Sequence, residues 1–269
     1  MKYDVLTAIG LSLFAGLSTG IGGLFLLIFR KINTKILSVA LGFSAGVMIY
    51  VSFVEILPEA SKYLGQAFDA KKGDWITFIA FFAGIFLIAI IDKLVPEKDN
   101  PHEPQSIERL DVCGLGHDSQ KLIKTGKLAA LAITIHNFPE GLATFVSGMS
   151  DFSLGFAIAV AVAIHNIPEG ISVALPIYCA TGNKKKAFLS SLISGLAEPV
   201  GAIIAYLVLA PFLNDALFGI IYASIAGIMV FISLDELLPS AREYGEHHLA
   251  IFGLIGGMIV MGLSLLLLK

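Results

Sequence analysis

The sequence predicts an all-α integral membrane protein with eight transmembrane helices, and three observations carry that reading. Of 269 residues, 56% are hydrophobic and only 14% charged, with a mean hydropathy of +0.84, whereas soluble domains carry roughly 25% charge. The chain divides into apolar stretches of about 20 residues, the length a helix needs to cross ~30 Å of hydrocarbon. Third, the few polar residues inside these stretches recur in duplicated motifs. This composition, with a net charge of −3, excludes a soluble globular enzyme, a nucleic-acid binder and a large extramembrane catalytic module.

The spans follow in order. Met1 to Asp4 carries a single Lys before an apolar run to Phe29 that has no small-residue cleavage site and is too long for a signal-peptide core, so 4–29 is the first helix. The others are expected at 36–58, 74–95, 126–149, 152–179, 186–211, 216–240 and 248–268, all within one transmembrane domain, 1–269. One set of loops holds Arg30, Lys31, Lys35, Lys93, Lys98, Arg109, Lys121, Lys124, Lys127, Lys184, Lys185, Lys186 and Arg242. The other set, with the termini, holds only Lys2, Lys62, Lys71, Lys72 and Lys269. Positive charge favours the cytoplasmic side, which places both termini outside a cell (plasma) membrane and makes 96–125, between helices three and four, a cytoplasmic loop. Cys113 in that loop and Cys179 near a helix end give no disulfide framework.

Two segments repeat. Ser52-Phe-Val-Glu-Ile-Leu-Pro-Glu-Ala60 aligns with Ser233-Leu-Asp-Glu-Leu-Leu-Pro-Ser-Ala241, and more weakly Ala15 to Gly22 aligns with Ser194 to Gly201. Helices one to three therefore read as related to helices six to eight. The odd number of crossings between them inverts one copy relative to the other, an architecture in which transporters place substrate near the midplane.

Between the copies, His136-Asn137-Phe138-Pro139-Glu140-Gly141 and His165-Asn166-Ile167-Pro168-Glu169-Gly170 share five of six letters. His and Glu at i and i+4 lie on one helix face, and Asn at i+1 is three residues before the same Glu, so each Glu can serve a His-containing and an Asn-containing site. Pro139 and Pro168 cannot donate to the carbonyls of Ile135 and Ile164, which frees oxygens at ligand depth. Two imidazoles and two carboxylates suit zinc or another late first-row divalent ion. Glu198, before Pro199 in helix six, is the candidate to join Asn137, Asn166 and the shared Glu140 and Glu169 in a second, oxygen-richer site. Taken singly, each His, Asn or Glu has a structural reading as a hydrogen-bond partner. The five ionisable groups among them, gathered in one bundle at about 2.5 kcal/mol or more per charge, argue for function.

The repeated carboxylates place Glu55 and Glu59 toward the outer mouth and Asp235 and Glu236 toward the inner one, where solvated helix ends are the alternative. His247 and His248 could pass metal to the cytosol, and His102, Cys113 and His117 match no closed zinc motif. Gly10, Gly16, Gly20, Gly22 and Gly23 read as helix packing.

With its paired motifs, eight spans and a variable loop after helix three, the chain resembles, over essentially its whole length, the ZIP family of divalent metal transporters. The resemblance implies metal uptake into the cytoplasm, a 3+2+3 helical organisation with inverted repeats, a binuclear-type midplane site and a homodimer. It makes His136, Glu140, His165 and Glu169 primary ligands, and Asn137, Asn166 and Glu198 secondary ones. It departs from members that carry Asp or Gln in helix five, and its loop is nearly free of His. Zinc is the expected cargo, with iron(II), manganese, cobalt and cadmium beside it. No organic cofactor is expected, and the partners are divalent ions and lipid. An intramembrane metallohydrolase, which lacks its usual H-E-x-x-H here, and a gated cation channel are the alternatives.

Overall fold

The computed structural model describes residues 5–28, 34–94, 119–212, 214–244 and 247–268. Among them every regular element is helical: α1 (Val5–Ile28), α2 (Thr34–Val51), α3 (Leu57–Ala67), α4 (Ala70–Leu94), α5 (Ser119–Ser150), α6 (Phe152–Thr181), α7 (Lys184–Gly195), α8 (Ala197–Leu209), α9 (Asp215–Ile232), α10 (Leu238–Tyr244) and α11 (His247–Leu268). Seven stretches of the described residues are long and apolar enough to cross a membrane. They do not include α5, whose mean hydropathy His136, Asn137 and Glu140 help to lower. At ~1.5 Å per residue its 32 residues still reach well beyond a bilayer's hydrocarbon thickness.

Two boundaries differ from the sequence reading. The second span does not stop at Pro58 but continues through a five-residue π-helical turn, Ser52–Ile56, into α3. Pro58 sits at the start of α3, where its missing N–H is tolerated, and the Leu57 N–H bonds to the Ser52 carbonyl five residues back. The expected loop 96–125 is shorter at its end, because Ser119 to Thr125 is already helical in a run of good helix formers. Residues 95–118, with His102, Cys113 and His117, lie outside the described residues. Cys179 is disulfide-bonded, which corrects the reading that it contributes to no cross-link.

The internal repeat is written into the packing. A second π-helical turn, Ser233–Leu237, joins α9 to α10. In both turns the leading serine donates to a methionine carbonyl one turn back, Ser52 to Met48 and Ser233 to Met229, each at 2.7 Å. Glycines seat helix on helix in matching pairs. Gly46 of α2 lies against the Leu254 carbonyl of α11 as Gly227 of α9 lies against the Phe81 carbonyl of α4, and Gly257 meets Phe43 as Gly84 meets Ser224. Nearer the centre, Gly22 of α1 meets the Ile167 carbonyl of α6 as Gly201 of α8 meets that of Phe138 on α5. Close backbone approach through small residues is how membrane helices associate when lipid is as apolar as the side chains. This register extends the repeat to α4 and α11, which sequence comparison alone did not align.

The helices fall into two groups, α1 with α5 to α8, and α2 to α4 with α9 to α11, joined chiefly where α2 packs on α6. Asp151, the single residue between α5 and α6, caps α6 by accepting the Leu154 N–H at 3.0 Å. That turn holds the two motif helices side by side.

Candidate metal centre

The two motifs meet across the α5–α6 contact. His136 Nε2 lies 3.1 Å from Glu169 Oε2, and His165 Nε2 lies 3.2 Å from Glu140 Oε1. Each His therefore pairs with the Glu of the other helix, and His165 keeps Glu169 of its own helix within 4.8 Å as well. Asn137 Nδ2 donates to the Ser194 carbonyl of α7 at 3.2 Å, and Asn166 Nδ2 to the Ala15 carbonyl of α1 at 3.1 Å. Ser194 and Ala15 occupy the same position of the weaker repeat, so the pseudo-twofold runs through the centre.

All seven candidates, His136, Asn137, Glu140, His165, Asn166, Glu169 and Glu198, are buried. Ligand atoms of Glu140, His165 and Glu169 all lie within 4.8 Å of one another, a span that one ion at roughly 2.0–2.2 Å from each donor can bridge with small side-chain movement. The tautomer of His165 fits this use. Its Nδ1–H donates to the Ala161 carbonyl at 3.1 Å, leaving the Nε2 lone pair directed at Glu140. A lone pair and a carboxylate oxygen in contact need a proton or a cation between them, and an outer hydrogen bond of this kind is what orients a ligating imidazole. Glu198 accepts a hydrogen bond from Asn166 Nδ2, which draws the third carboxylate in. The symmetry fails here, because the repeat places Thr19 where Glu198 stands. One side of the centre is thus richer in carboxylate oxygen.

The remaining candidates separate. Glu55 and Glu59 line a cavity of about 430 Å³ with Lys62, Tyr63, Ser150 and Asp151, at the end of the bundle where α5 turns into α6. Glu59 pairs with Lys62 at 2.8 Å. Glu236, expected toward the opposite mouth, instead brings Oε2 to 3.6 Å from His136 Nδ1. Glu236 sits in the π-turn Ser233–Leu237, as Glu55 sits in Ser52–Ile56. Asp235 beside it is exposed, as are His247 and His248 at the start of α11.

Sequence reasoning missed Ser44. From α2 its hydroxyl lies 3.3 Å from Glu169 Oε1 and 3.2 Å from the His165 carbonyl, so it ties the other helix group to the centre. A serine on an apolar helix has no spacing signature. Only its place within Gly42-Phe-Ser-Ala-Gly46, where small residues admit α11, marked that face as closely packed.

A buried imidazole, carboxylate and amide set, shared between two helices of an inverted-repeat membrane bundle, defines the class: a transporter of divalent metal ions, not an enzyme. The chain belongs to the ZIP zinc transporter family, which it matches over residues 5–121 and 115–265. It is 58% identical over 267 residues to the zinc transporter ZupT of Streptococcus mutans, covering 99% of both chains. It is 56% identical over 267 residues to that of Chlorobium chlorochromatii, again with 99% of both covered. The zinc transporter ZupT of Lysinibacillus sphaericus is 57% identical over 268 residues, with 100% of both covered.

Proposed function

We propose that this chain carries zinc across the plasma membrane into the cytoplasm, binding it among His136, Glu140, His165 and Glu169. Asn137, Asn166 and Glu198, with the shared Glu140 and Glu169, form a second site. The carrying observation is the reciprocal pairing of two imidazole nitrogens with two carboxylates at 3.1 and 3.2 Å, buried where only a proton or cation can relieve the contact. Relatives called zinc transporters along almost their whole length support zinc over other cargo. Iron(II), manganese, cobalt and cadmium, which accept the same donors, are the further candidates.

In this reading α5 is the fourth span and completes the eight of a 3+2+3 arrangement, the excess of Lys and Arg keeps the alternate loops, 96–125 included, in the cytoplasm, and both termini lie outside. The whole chain is one transmembrane domain, surrounded by lipid, active as a homodimer and without an organic cofactor. Glu55 and Glu59 then draw cations into the outer vestibule, and Glu236 with Asp235 lies on the way inward. Access alternates when the group of α1 and α5 to α8 shifts against the other, breaking the Ser44 contact to Glu169.

The test is zinc uptake by liposomes that hold purified protein. Uptake that saturates with zinc is expected; liposomes no more permeable to zinc than empty ones reject the reading, and flux that never saturates replaces the carrier with a channel. Uptake at sub-saturating zinc is also expected to fall from pH 7 to pH 5, on the order of tenfold, because protons compete for the lone pairs that bind metal. A flat profile over that range would count against imidazole ligation.

A further inference from the structure

Between the vestibule and the metal centre runs a face of α5 that the carrier reading leaves unused. Glu140, Thr144 and Ser147 recur at intervals of four and three, which holds them on one side of the helix, and Asp151 follows just past its end. Thr144 and Ser147 are fully buried, while Ser150 and Asp151 line the vestibule. Ser150 also meets the hydroxyl of Tyr63 on α3. From α9, the hydroxyl of fully buried Tyr222 lies near those of Ser147 and Ser150 without bonding to either, and its ring is 5.9 Å from that of Tyr63. From α1, Ala8 and Leu11 pack on Gly148, and buried Ser12 is the next residue of that helix. The hydroxyl oxygens of Ser12, Thr144 and Tyr222, and Oε2 of Glu140, find no hydrogen-bond partner among the described residues. In a membrane interior such groups are costly to leave unsatisfied.

The pseudo-twofold supplies a comparison within the same molecule. The positions equivalent to Thr144 and Ser147 on α6 are Val173 and Pro176, and the equivalent of Tyr222 on α2 is Leu41. On that side of the centre Val173 and Ile177 close with Ile133 and Ala187 into an apolar cluster. Packing alone asks nothing different of the two halves, so the hydroxyls of Thr144, Ser147 and Tyr222 answer a need that the other half lacks; Ser12 alone keeps a hydroxyl counterpart, Ser191, which is already bonded to the Thr19 carbonyl.

We infer that Thr144, Ser147, Tyr222 and Ser12 form a dehydration track, along which a divalent cation exchanges water for hydroxyl oxygens between the vestibule and Glu140. The inference rests on the carrier reading above. Neutral oxygens suit the task, because a conducting position must bind firmly enough to replace lost water and weakly enough to release the ion.

The test combines transport with side-specific labelling in zinc-loaded and zinc-free liposomes. Thr144→Val and Tyr222→Phe are each expected to slow zinc uptake about tenfold, and Thr144→Ser to restore it to within about twofold, since only the hydroxyl is at issue. Thr144→Cys and Ser147→Cys are expected to react with a membrane-impermeant cationic thiosulfonate added from the vestibule side, to be protected by zinc, and to lose uptake once modified. The unsubstituted chain, treated identically, sets the baseline for labelling. Labelling decides the matter even if the valine variant fails to fold: cysteines that stay unreactive in a chain that still transports zinc overturn the track. If the unsubstituted chain transports zinc and Glu140→Ala abolishes it while the track variants behave normally, the track falls and the carrier stands. An unsubstituted chain that moves no zinc removes the carrier reading and the track together.

Discussion

Glu140→Ala and His165→Ala are each expected to lower zinc uptake by at least about 100-fold, because loss of outer-shell partners alone costs 10–100-fold in metal affinity and these residues are ligands themselves. Each change also strands its partner. Without Glu140, His165 Nε2 keeps no carboxylate at 3.2 Å; without His165, Glu140 holds a buried charge with neither oxygen engaged, since Oε2 already has no hydrogen-bond partner among the described residues. A buried unpaired charge threatens the fold as well as the function. Glu140→Gln separates the two effects, for it keeps shape and hydrogen-bonding capacity while removing the charge. The expected result is a protein that elutes from size exclusion like the unsubstituted chain and transports no zinc. Glu59→Ala, at the vestibule, is expected to cost only a few-fold, because its carboxylate is already paired with Lys62 near solvent. If Glu140→Gln carries zinc at the normal rate, the paired motifs are structural and the centre is not the transport site.

The difference between these two carboxylates was visible in the sequence, and the geometry behind it was not. Duplication of His-Asn-x-Pro-Glu-Gly marked Glu140 and His165 because five polar or helix-breaking letters do not recur on two apolar helices without cause. The i to i+4 spacing placed each His on one face with its own Glu, and the four side chains were expected to converge. Which nitrogen meets which carboxylate was not legible: the pairs cross between helices, a consequence of the one-residue turn at Asp151, which aligns α5 and α6 antiparallel. Glu236 was legible as a repeat of Glu55 but not as a neighbour of His136, since a shared pattern does not report what faces each copy across the bundle. Ser44 and the Gly84 and Gly257 seats were illegible for a related reason: small residues in membrane helices are common, and only three-dimensional register says which of them touch. The segment 119–125 looked like loop because its charges outweighed its helix propensity in a reading tuned to hydropathy.

Those glycine seats carry the second large effect. At Gly170 a Cβ would fall 1.9 Å from the Thr19 carbonyl oxygen, and at Gly141 2.0 Å from that of Glu198. Both obstacles are backbone, which cannot swing aside as a side chain does. Gly170→Leu must therefore part α6 from α1, and Gly141→Leu must part α5 from α8, each exceeding the ~1–3 kcal/mol typical of overpacked cores. Since α1 supplies the Ala15 carbonyl to Asn166 and α8 carries Glu198, parting either pair also opens the centre. The expected outcome is loss of monodisperse protein on detergent extraction. Gly10→Ala and Gly256→Ala are the controls: a Cβ there meets nothing within 4 Å, and replacing a helical glycine recovers up to ~1 kcal/mol of propensity. Those two chains are expected to extract and unfold as the unsubstituted one does or slightly later on heating. Normal yield and thermal stability for Gly170→Leu would mean that α1 and α6 do not approach as closely as their glycines allow, and would move the metal centre's walls apart with them.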